Sequence, residues 1–292
     1  MIHRYVLHNN DIVEASEPRL RAGQIGLLSG WGVFSTLRIT EGVLFEWDRH
    51  WARMARDASM MRVPLTQDPA VVHENLARLV DANGVSEGTL RIVAVRNGGG
   101  FWAGPGAEEK SDIIALTATS KSWGTGVKLD YVHNGRHAAS EFAGTKILSW
   151  AMNLTWLEEA QSRGFDEVVL LNERGEVAEC TSANIFVARH NKVLTPPLSS
   201  GCLPGVTRDV ILNELQVPGL PVVEEVLGPQ DLATADEVFI TSTTRDLLPV
   251  LQLQDRVLTP RGEARVKLNA AFQDYLKKYI EAHRRKPVAP VS

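Results

Sequence analysis

Cysteine is scarce in this sequence: Cys180 and Cys202 are the only two among its 292 residues. They lie too far apart for a CxxC pair, and two are too few for the disulfide framework of a small secreted protein. We therefore expect a reducing compartment, the cytoplasm. Both cysteines are interpreted as small packing residues.

Long apolar and long basic runs are also missing. No window approaches the roughly 20 apolar residues of a membrane span, and the first residues lack the apolar stretch of a signal peptide. The formal net charge is −4, with 31 Lys and Arg against 35 Asp and Glu. We therefore expect neither a membrane nor a nucleic acid as a partner. The eight histidines are scattered without ligand spacing, which predicts no metal site.

What is present is a globular composition, with 44% hydrophobic and 23% charged residues. Segments with strand character and segments with helical periodicity are segregated rather than alternating as repeated strand–helix–strand units. This favours two α+β domains. The polar, glycine-containing segment "KSWGTGVKL" predicts a junction near residues 119–127, between a small domain at 1–120 and a large domain at 128–292.

One lysine lies between a glycine-threonine pair and an apolar segment, in "EFAGTKILSW". We expect Lys146 to open a helix over "KILSWAMNLTWLEEAQSRG". Most lysines are solvated surface residues, but desolvation lowers the pKa of a lysine amine and lets it bind an aldehyde cofactor covalently. The apolar positions of the helix recur every three to four residues, at Leu148, Ala151, Leu154, Leu157 and Ala160.

Pyridoxal phosphate is the aldehyde cofactor that fits best, because it requires an acid at its pyridine nitrogen and a cradle for its phosphate. Glu179 ends an apolar strand, where a carboxylate is costly unless it is paired with a cation. In "LPGVTR" a turn delivers the backbone N–H groups of Val206 and Thr207 to a helix N-terminus, which favours an anion. Taken singly, a strand-end glutamate and a Pro-Gly turn are both common.

These motifs occur in a fixed order. After Lys146, Glu179 follows 33 positions later in the pattern E-x-x-x-x-N-x-F, and then come Thr195–Pro196 and "LPGVTR" at 203–208. The set resembles the class IV (fold type IV) pyridoxal-phosphate enzymes: branched-chain aminotransferases, D-amino acid aminotransferases and aminodeoxychorismate lyase. The resemblance implies a small α+β domain joined to a larger pseudo-barrel domain. It also implies a homodimer, with the site between the domains and near the subunit interface.

The resemblance further implies residue roles. Lys146 would hold the cofactor and act as the base that moves the substrate α-proton, and Glu179 would keep the pyridine nitrogen protonated. Arg53, in "RHWARM", resembles the family's phosphate-binding arginine. The remaining phosphate ligands would be Val206, Thr207, Ser242 and Thr243. Candidates for the substrate pocket are Phe34, Thr36, Arg38, Arg96 and Thr244.

Three functions remain open. The first is an aminotransferase of branched-chain type, acting between an amino acid and a 2-oxo acid. Such enzymes place a tyrosine five residues after the lysine, where this sequence has Ala151, and the R-x-H motif of the D-specific enzymes is missing. The second is aminodeoxychorismate lyase, which eliminates pyruvate to give 4-aminobenzoate, favoured by Thr36 and by "VRNGGGFW". The third is a catalytically silent binding protein on the same scaffold.

Overall fold

The computed structural model describes residues 1–17, 23–99, 110–259 and 262–284. The chain forms two compact units. The first contains Met1–Ser120 and the described residues from Asp274 onwards, and the second contains Lys121–Gln273. The division after Ser120 lies within the expected junction. None of the helices in these four ranges is long and apolar enough to cross a bilayer.

The first unit is built on a six-stranded antiparallel sheet with the strand order β2-β1-β6-β5-β3-β4. Strands β3 and β5 pair along their whole length, from Gly32 opposite Val95 to Thr40 opposite Glu87. The strands are β1 (Ile2–His8), β2 (Asp11–Glu14), β3 (Gly32–Thr40), β4 (Val43–Leu44), β5 (Glu87–Arg96) and β6 (Ser111–Ala118).

The helices of this unit include one that begins at a capping signal in the sequence. The two longest are α2 (Trp47–Met60) and α3 (Pro69–Ala82), and the short helix α1 (Ile25–Ser29) precedes them. Asp68 caps α3, because its side chain accepts a hydrogen bond from the Ala70 amide and proline occupies the first helical position.

The end of the chain differs from the expectation that it belongs to the large domain. Helix α7 (Ala264–His283) begins in the second unit, but from Asp274 onwards it groups with the first. There the Tyr275 hydroxyl donates to Glu46 at 2.6 Å, and the Tyr275 and Tyr279 rings pack edge-on against Phe45. Helix α7 contains no glycine or proline, so no composition change marks this boundary.

The second unit contains a nine-stranded mixed sheet with the order β12-β11-β10-β13-β14-β7-β8-β9, and β15 pairs with β14. The sheet curls into a half-barrel. Its strands are β7 (Val127–Val132), β8 (Glu167–Leu171), β9 (Val177–Cys180), β10 (Asn184–Arg189), β11 (Lys192–Thr195), β12 (Val222–Glu224), β13 (Glu237–Ser242), β14 (Asp246–Leu253) and β15 (Arg256–Val257). Its helices are α4 (Ala151–Ser162), α5 (Val206–Asn213) and α6 (Pro229–Thr234).

The centre of this sheet fixes the position of the candidate site. Phe186 on β10 stacks on its register partner Phe239 on β13, with ring centroids 5.3 Å apart and an angle of 5° between the rings. The same register places Asn184, at the start of β10, opposite Thr241, near the end of β13. Strand β9 ends at Cys180, and three residues separate it from the start of β10, so its last residues lie beside the same end of the β10–β13 pair.

Candidate active site

Lys146 lies in a non-helical segment and does not open a helix. Helix α4 begins at Ala151, and the Trp150 amide donates to the Leu148 carbonyl at 2.7 Å, closing a tight turn just before the helix. The expected helix start is therefore wrong by five residues. The expected apolar face is only partly buried: Ala160 is buried, whereas Ala151 and Leu154 are exposed.

The segment before Lys146 packs closely against the chain that follows β11. Gly144 has a φ of +71°, and a Cβ there would lie 2.8 Å from the Cys202 carbonyl oxygen. Only glycine fits both the backbone angle and the space. Lys146 itself is half-buried, and its Nζ lies 5.8 Å from the centroid of the Trp150 ring.

Glu179 is a buried carboxylate with two partners within the chain. Its side chain, near the end of β9, accepts from Arg136 Nε at 2.9 Å and from the Leu203 amide at 3.1 Å. Arg136 also donates to Asn153 Oδ1 at 3.2 Å, and Asn153 donates to the Thr181 carbonyl at 3.0 Å. A charged arginine and an amide donor both stabilise the ionised carboxylate.

The turn before α5 is held by hydrogen bonds on both sides of one residue. The Leu203 amide donates to Glu179, and the Leu203 carbonyl accepts from Asn184 Nδ2 at 2.8 Å. A Cβ on Gly205 would lie only 2.0 Å from Asn184 Oδ1, so this position has no room for a side chain. The motif asparagine therefore shapes the turn, which the sequence did not reveal.

Helix α5 starts with available amide donors. Gly205 is its N-cap, and within the described residues no side chain caps the helix. The amides of Val206 and Thr207, in the first turn, have no acceptor inside the helix, and the helix dipole adds partial positive charge there. An anion such as a phosphate fits this end.

Arg208, the last residue of the "LPGVTR" motif, has a structural contact. Its guanidinium donates to the Pro196 carbonyl at 2.8 Å and pairs with Glu224, while the Thr195 hydroxyl donates to the Ile185 carbonyl at 2.8 Å. The Thr-Pro motif and the Pro-Gly turn are therefore tied together by Arg208.

The third part of the site is the turn between β13 and β14. The Arg245 amide donates to the Ser242 carbonyl at 3.1 Å, which leaves Thr243 and Thr244 as the central, half-buried residues of the turn. The neighbouring Thr241 is buried, and its hydroxyl finds no hydrogen-bond partner in the described part of the chain.

Both cysteines lie close to Glu179 and are held as neutral thiols. Burial first, and the Glu179 carboxylate second, raise the pKa of Cys202 to about 12. Burial likewise raises the pKa of Cys180 well above its ordinary value. A thiol with so high a pKa is a poor nucleophile, which fits the expected packing role.

The second unit thus contains the groups that pyridoxal phosphate requires. They are a half-buried amine on Lys146, a carboxylate on Glu179, and the uncapped helix end at Val206, beside a turn too tight for any Cβ at Gly205. The residues present therefore fit this cofactor. No group of three or more His, Cys, Asp or Glu side chains that could hold a metal ion occurs in the described ranges.

In the first unit, Arg53 is oriented by two neighbours. It lies on α2, and its Nη2 donates to Ser35 Oγ at 2.9 Å, which in turn lies 2.8 Å from His50 Nδ1. Ser35 is on β3, and by strand alternation it faces away from Phe34 and Thr36.

The expected pocket residues Phe34, Thr36 and Arg38 share the other face of β3. Arg91, opposite Thr36 on β5, extends over this face, with its Cζ 4.7 Å from the centroid of the Phe34 ring. Arg91 Nε also donates to Thr36 Oγ1 at 3.4 Å.

Arg96 makes contacts that hold a loop. Its guanidinium donates to the carbonyls of Gly98 at 2.8 Å and Arg62 at 2.5 Å, and it stacks over the Trp31 ring at 4.2 Å. The side chain is almost fully buried. The later part of the expected "VRNGGGFW" loop, from residue 100, lies outside the described residues.

The sequence matches known proteins over most of its length. The family described as amino-transferase class IV matches residues 32–253. A Methanocaldococcus jannaschii protein, provisionally assigned as a branched-chain-amino-acid aminotransferase, is 30% identical over 278 residues, or 93% of this chain and 96% of that protein. The D-alanine aminotransferase of Bacillus licheniformis is 29% identical over 271 residues, or 87% and 89% of the two chains.

The fold is also similar to solved structures. The branched-chain aminotransferase of the archaeon Thermoproteus uzoniensis, in a crystal structure with norvaline, matches with a TM-score of 0.87. The match covers 96% of this chain and 98% of that one, at 24% sequence identity. This likeness confirms the expected two-domain α+β fold.

Proposed function

Since the chain belongs to the class IV aminotransferases, which depend on pyridoxal phosphate, we propose that it transfers the amino group of a branched-chain amino acid to a 2-oxo acid. The observation that carries the proposal is the Glu179 carboxylate, held between Arg136 and the Leu203 amide in the unit that contains Lys146. A carboxylate oriented in this way by an arginine and a backbone amide is the acid partner that a pyridine nitrogen needs.

The proposed chemistry assigns a task to each group. When bound, pyridoxal phosphate supplies a sink for the electrons left by the departing α-proton. Lys146 Nζ takes that proton from the substrate and returns it as general acid. Glu179 would hold the ring nitrogen in its protonated form, and Arg136 fixes the orientation of the Glu179 carboxylate. The amides of Val206 and Thr207 bind the phosphate.

Further ligands are proposed from the sequence resemblance. Arg53 would add a guanidinium to the phosphate, for which a planar fork of donors is well suited. Ser242 and Thr243 would contribute to the same phosphate from the turn after β13. The substrate pocket is proposed to include Phe34, Thr36, Arg38, Arg96 and Thr244.

The branched-chain assignment is supported by the names of relatives and by the missing R-x-H motif, which argues against D-amino acid substrates.

We also propose a homodimer. Exposed apolar side chains next to the candidate site support it, among them Phe142, Met152 and Leu154. Light scattering after gel filtration should give twice the mass of one chain. A cytoplasmic location is proposed from the two unpaired cysteines.

The test compares the wild-type protein with Lys146→Ala and with Lys192→Ala, which removes an exposed lysine at the start of β11. We expect the wild type and the control to show the near-visible absorbance of bound pyridoxal phosphate. Both should form glutamate from 2-oxoglutarate with leucine or valine, and Lys146→Ala should lose both signals.

Other outcomes identify the alternatives. Pyruvate release from aminodeoxychorismate, without any amino acceptor, would identify a lyase. Glutamate formed from D-alanine but not from leucine would overturn the branched-chain assignment. A wild-type protein that stays colourless after incubation with pyridoxal phosphate would reject the enzyme and leave the silent binding protein.

A further inference from the structure

A buried ion pair lies beside the candidate site and has no role in the chemistry above. It joins Glu167, the first residue of β8, to Arg245, the last residue of the turn after β13, with 3.3 Å between Glu167 Oε2 and Arg245 Nη2. Both side chains are nearly inaccessible, with exposed fractions of 1% and 6%. The Arg245 Cζ atom lies 3.8 Å from the centroid of the Trp123 ring, so the guanidinium contacts both an acid and an aromatic ring.

The hydrogen bonds of this pair reach two loops. Arg245 Nη1 donates to the Ser182 carbonyl at 3.0 Å and to Ser242 Oγ at 3.3 Å, and Arg245 Nη2 donates to Ser182 Oγ at 2.9 Å. Glu167 accepts from the Ser182 hydroxyl at 2.7 Å, from the Thr181 amide at 3.2 Å and from the Thr181 hydroxyl. The loop at 181–182 follows the strand that carries Glu179, and Ser242 begins the turn that contains Thr243.

Burying two charges does not by itself stabilise a fold, because the desolvation cost offsets the attraction. Burial lowers the pKa of Arg245 and Glu167 opposes this shift, but the guanidinium stays charged. A buried pair with this many hydrogen bonds instead restricts the geometry of the groups around it. Here those groups are the two loops on either side of the pair.

We propose that Arg245 is a positioning residue, which fixes the Ser242–Thr243 turn relative to β9, the strand that carries Glu179. The inference rests on the proposed function, in which Glu179 contacts the ring of the cofactor and the turn contacts its phosphate. In this proposal Arg245 does not bind the cofactor and acts only through the residues that it holds in place. Its planar guanidinium sets the distance between Glu179 and the Ser242–Thr243 turn, so that the ring and the phosphate are held at the same time.

The test uses two variants, because a lone Glu167 carboxylate would be left buried if only Arg245 were removed. The double variant Arg245→Met/Glu167→Gln leaves no unpaired buried charge. Arg245→Lys keeps the positive charge but loses the planar guanidinium and its set of hydrogen-bond donors. The matched control is Arg163→Met, which breaks another ion pair to a buried acid, Asp130, beside an aromatic ring and away from both loops.

The measurement is the Kd of each apoprotein for pyridoxal phosphate and for pyridoxal, which lacks the phosphate. We expect both Arg245 variants to weaken binding of pyridoxal phosphate by about tenfold or more, and binding of pyridoxal by less than about threefold. The control should change neither Kd. Thermal unfolding of the apoproteins shows that the variants are folded.

Two results would overturn the inference. If both Kd values change by the same factor, or if the Kd for pyridoxal phosphate stays at the wild-type value, Arg245 does not position the phosphate turn. These results leave the proposed function intact, because the wild type still binds its cofactor. If the wild type itself binds pyridoxal phosphate no better than pyridoxal, the phosphate site is wrong and both proposals fail together.

Discussion

At the scale of single residues, the candidate site depends on a carboxylate that is buried and paired with an arginine. Glu179 sits at the end of an apolar strand, where a charge without partners would be costly. Arg136 and the Leu203 amide remove that cost before any cofactor binds. The carboxylate is therefore already oriented by two hydrogen bonds in the protein alone.

Replacing Glu179 by glutamine tests this role. The amide is nearly the same size, but it is neutral, and it replaces one of the two oxygens that accept from Arg136 and from Leu203 with an NH2 donor. We expect kcat to fall about 100-fold or more, the loss typical of a preorganised electrostatic group, measured with leucine and 2-oxoglutarate. Glu158→Gln, on the exposed side of α4, is the control and should keep the wild-type rate. A Glu179→Gln protein with wild-type kcat would show that the carboxylate plays no part in the chemistry.

The sequence predicted this acid but not its partners. Glu179 is recognisable because its motif has a fixed spacing from Lys146. Arg136 lies 43 positions before Glu179, in a loop without periodicity, and Glu167 and Arg245 are 78 positions apart. Pairs so distant along the chain meet only through the fold, and neither propensity nor spacing in a single sequence indicates them.

At the scale of elements, the turn before α5 is the part whose shape is most strictly limited. Two contacts with Asn184 determine this shape. The Leu203 carbonyl accepts a hydrogen bond from the asparagine side chain, and Gly205 packs against the same side chain with no room for a Cβ. A side chain at position 205 would push Asn184 away and break this hydrogen bond. The amides at the start of α5 would then move with the turn.

Gly205→Ala should therefore destabilise the protein and weaken its binding of pyridoxal phosphate. We expect the free energy of unfolding to fall by about 1–3 kcal/mol, the usual cost of overpacking, measured by urea titration. Gly228→Ala is a matched control, because Gly228 is also a helix N-cap with extended backbone, but its nearest atom to an added Cβ is 3.9 Å away. Equal losses for the two variants would mean that the contact with Asn184 is not the cause.

A second element with a measurable signature is the β8–β9 hairpin. Hydrogen bonds from Arg174 first, and from Asn172 and Ser200, lower the pKa of Glu176 to about 2. A lowered pKa in the folded state adds stability above the ordinary pKa of a glutamate, and this stability is lost as the pH falls through the folded value.

Glu176→Gln should therefore cost stability at about pH 7 and progressively less as the pH falls below the ordinary pKa toward about 2. The cost at neutral pH is at most about 1 kcal/mol, because the ion pair with Arg174 is partly exposed to solvent. The free energy of unfolding is measured by urea titration of the wild type, of this variant and of the control Glu158→Gln, at neutral pH and at the acidic end of this pH range. A gap between wild type and Glu176→Gln that widens on acidification would contradict the assignment.

Element boundaries were predictable only where local chemistry sets them. The turns at Asn172–Gly175 and His190–Asn191 consist of residue types that tolerate a positive φ, and φ is positive at Gly175, His190 and Asn191. The start of α4 was misplaced because Ile147 and Leu148 continue an apolar pattern that suits a helix. The turn closed by the Trp150 amide is a backbone feature that this pattern does not encode.

At the scale of the whole molecule, the segregated α and β segments were enough to predict two α+β domains, and the polar segment after Ser120 marked their junction. Residues from Asp274 onwards were assigned to the wrong unit, because their link with the first unit depends on tertiary contacts of Tyr275 and Tyr279. The family and its cofactor followed from ordered motifs, whereas the choice of substrate depends on a pocket that those motifs do not describe.

The proposed reaction depends most directly on one covalent bond, between Lys146 and pyridoxal phosphate. The measurement is reduction of the purified holoprotein with borohydride, followed by proteolysis and mass spectrometry of the lysine-containing peptides. If Lys146 binds the cofactor covalently, the added mass of the reduced cofactor is found on Lys146. Modification of a different lysine, or no modification in a protein that converts leucine and 2-oxoglutarate, would contradict it.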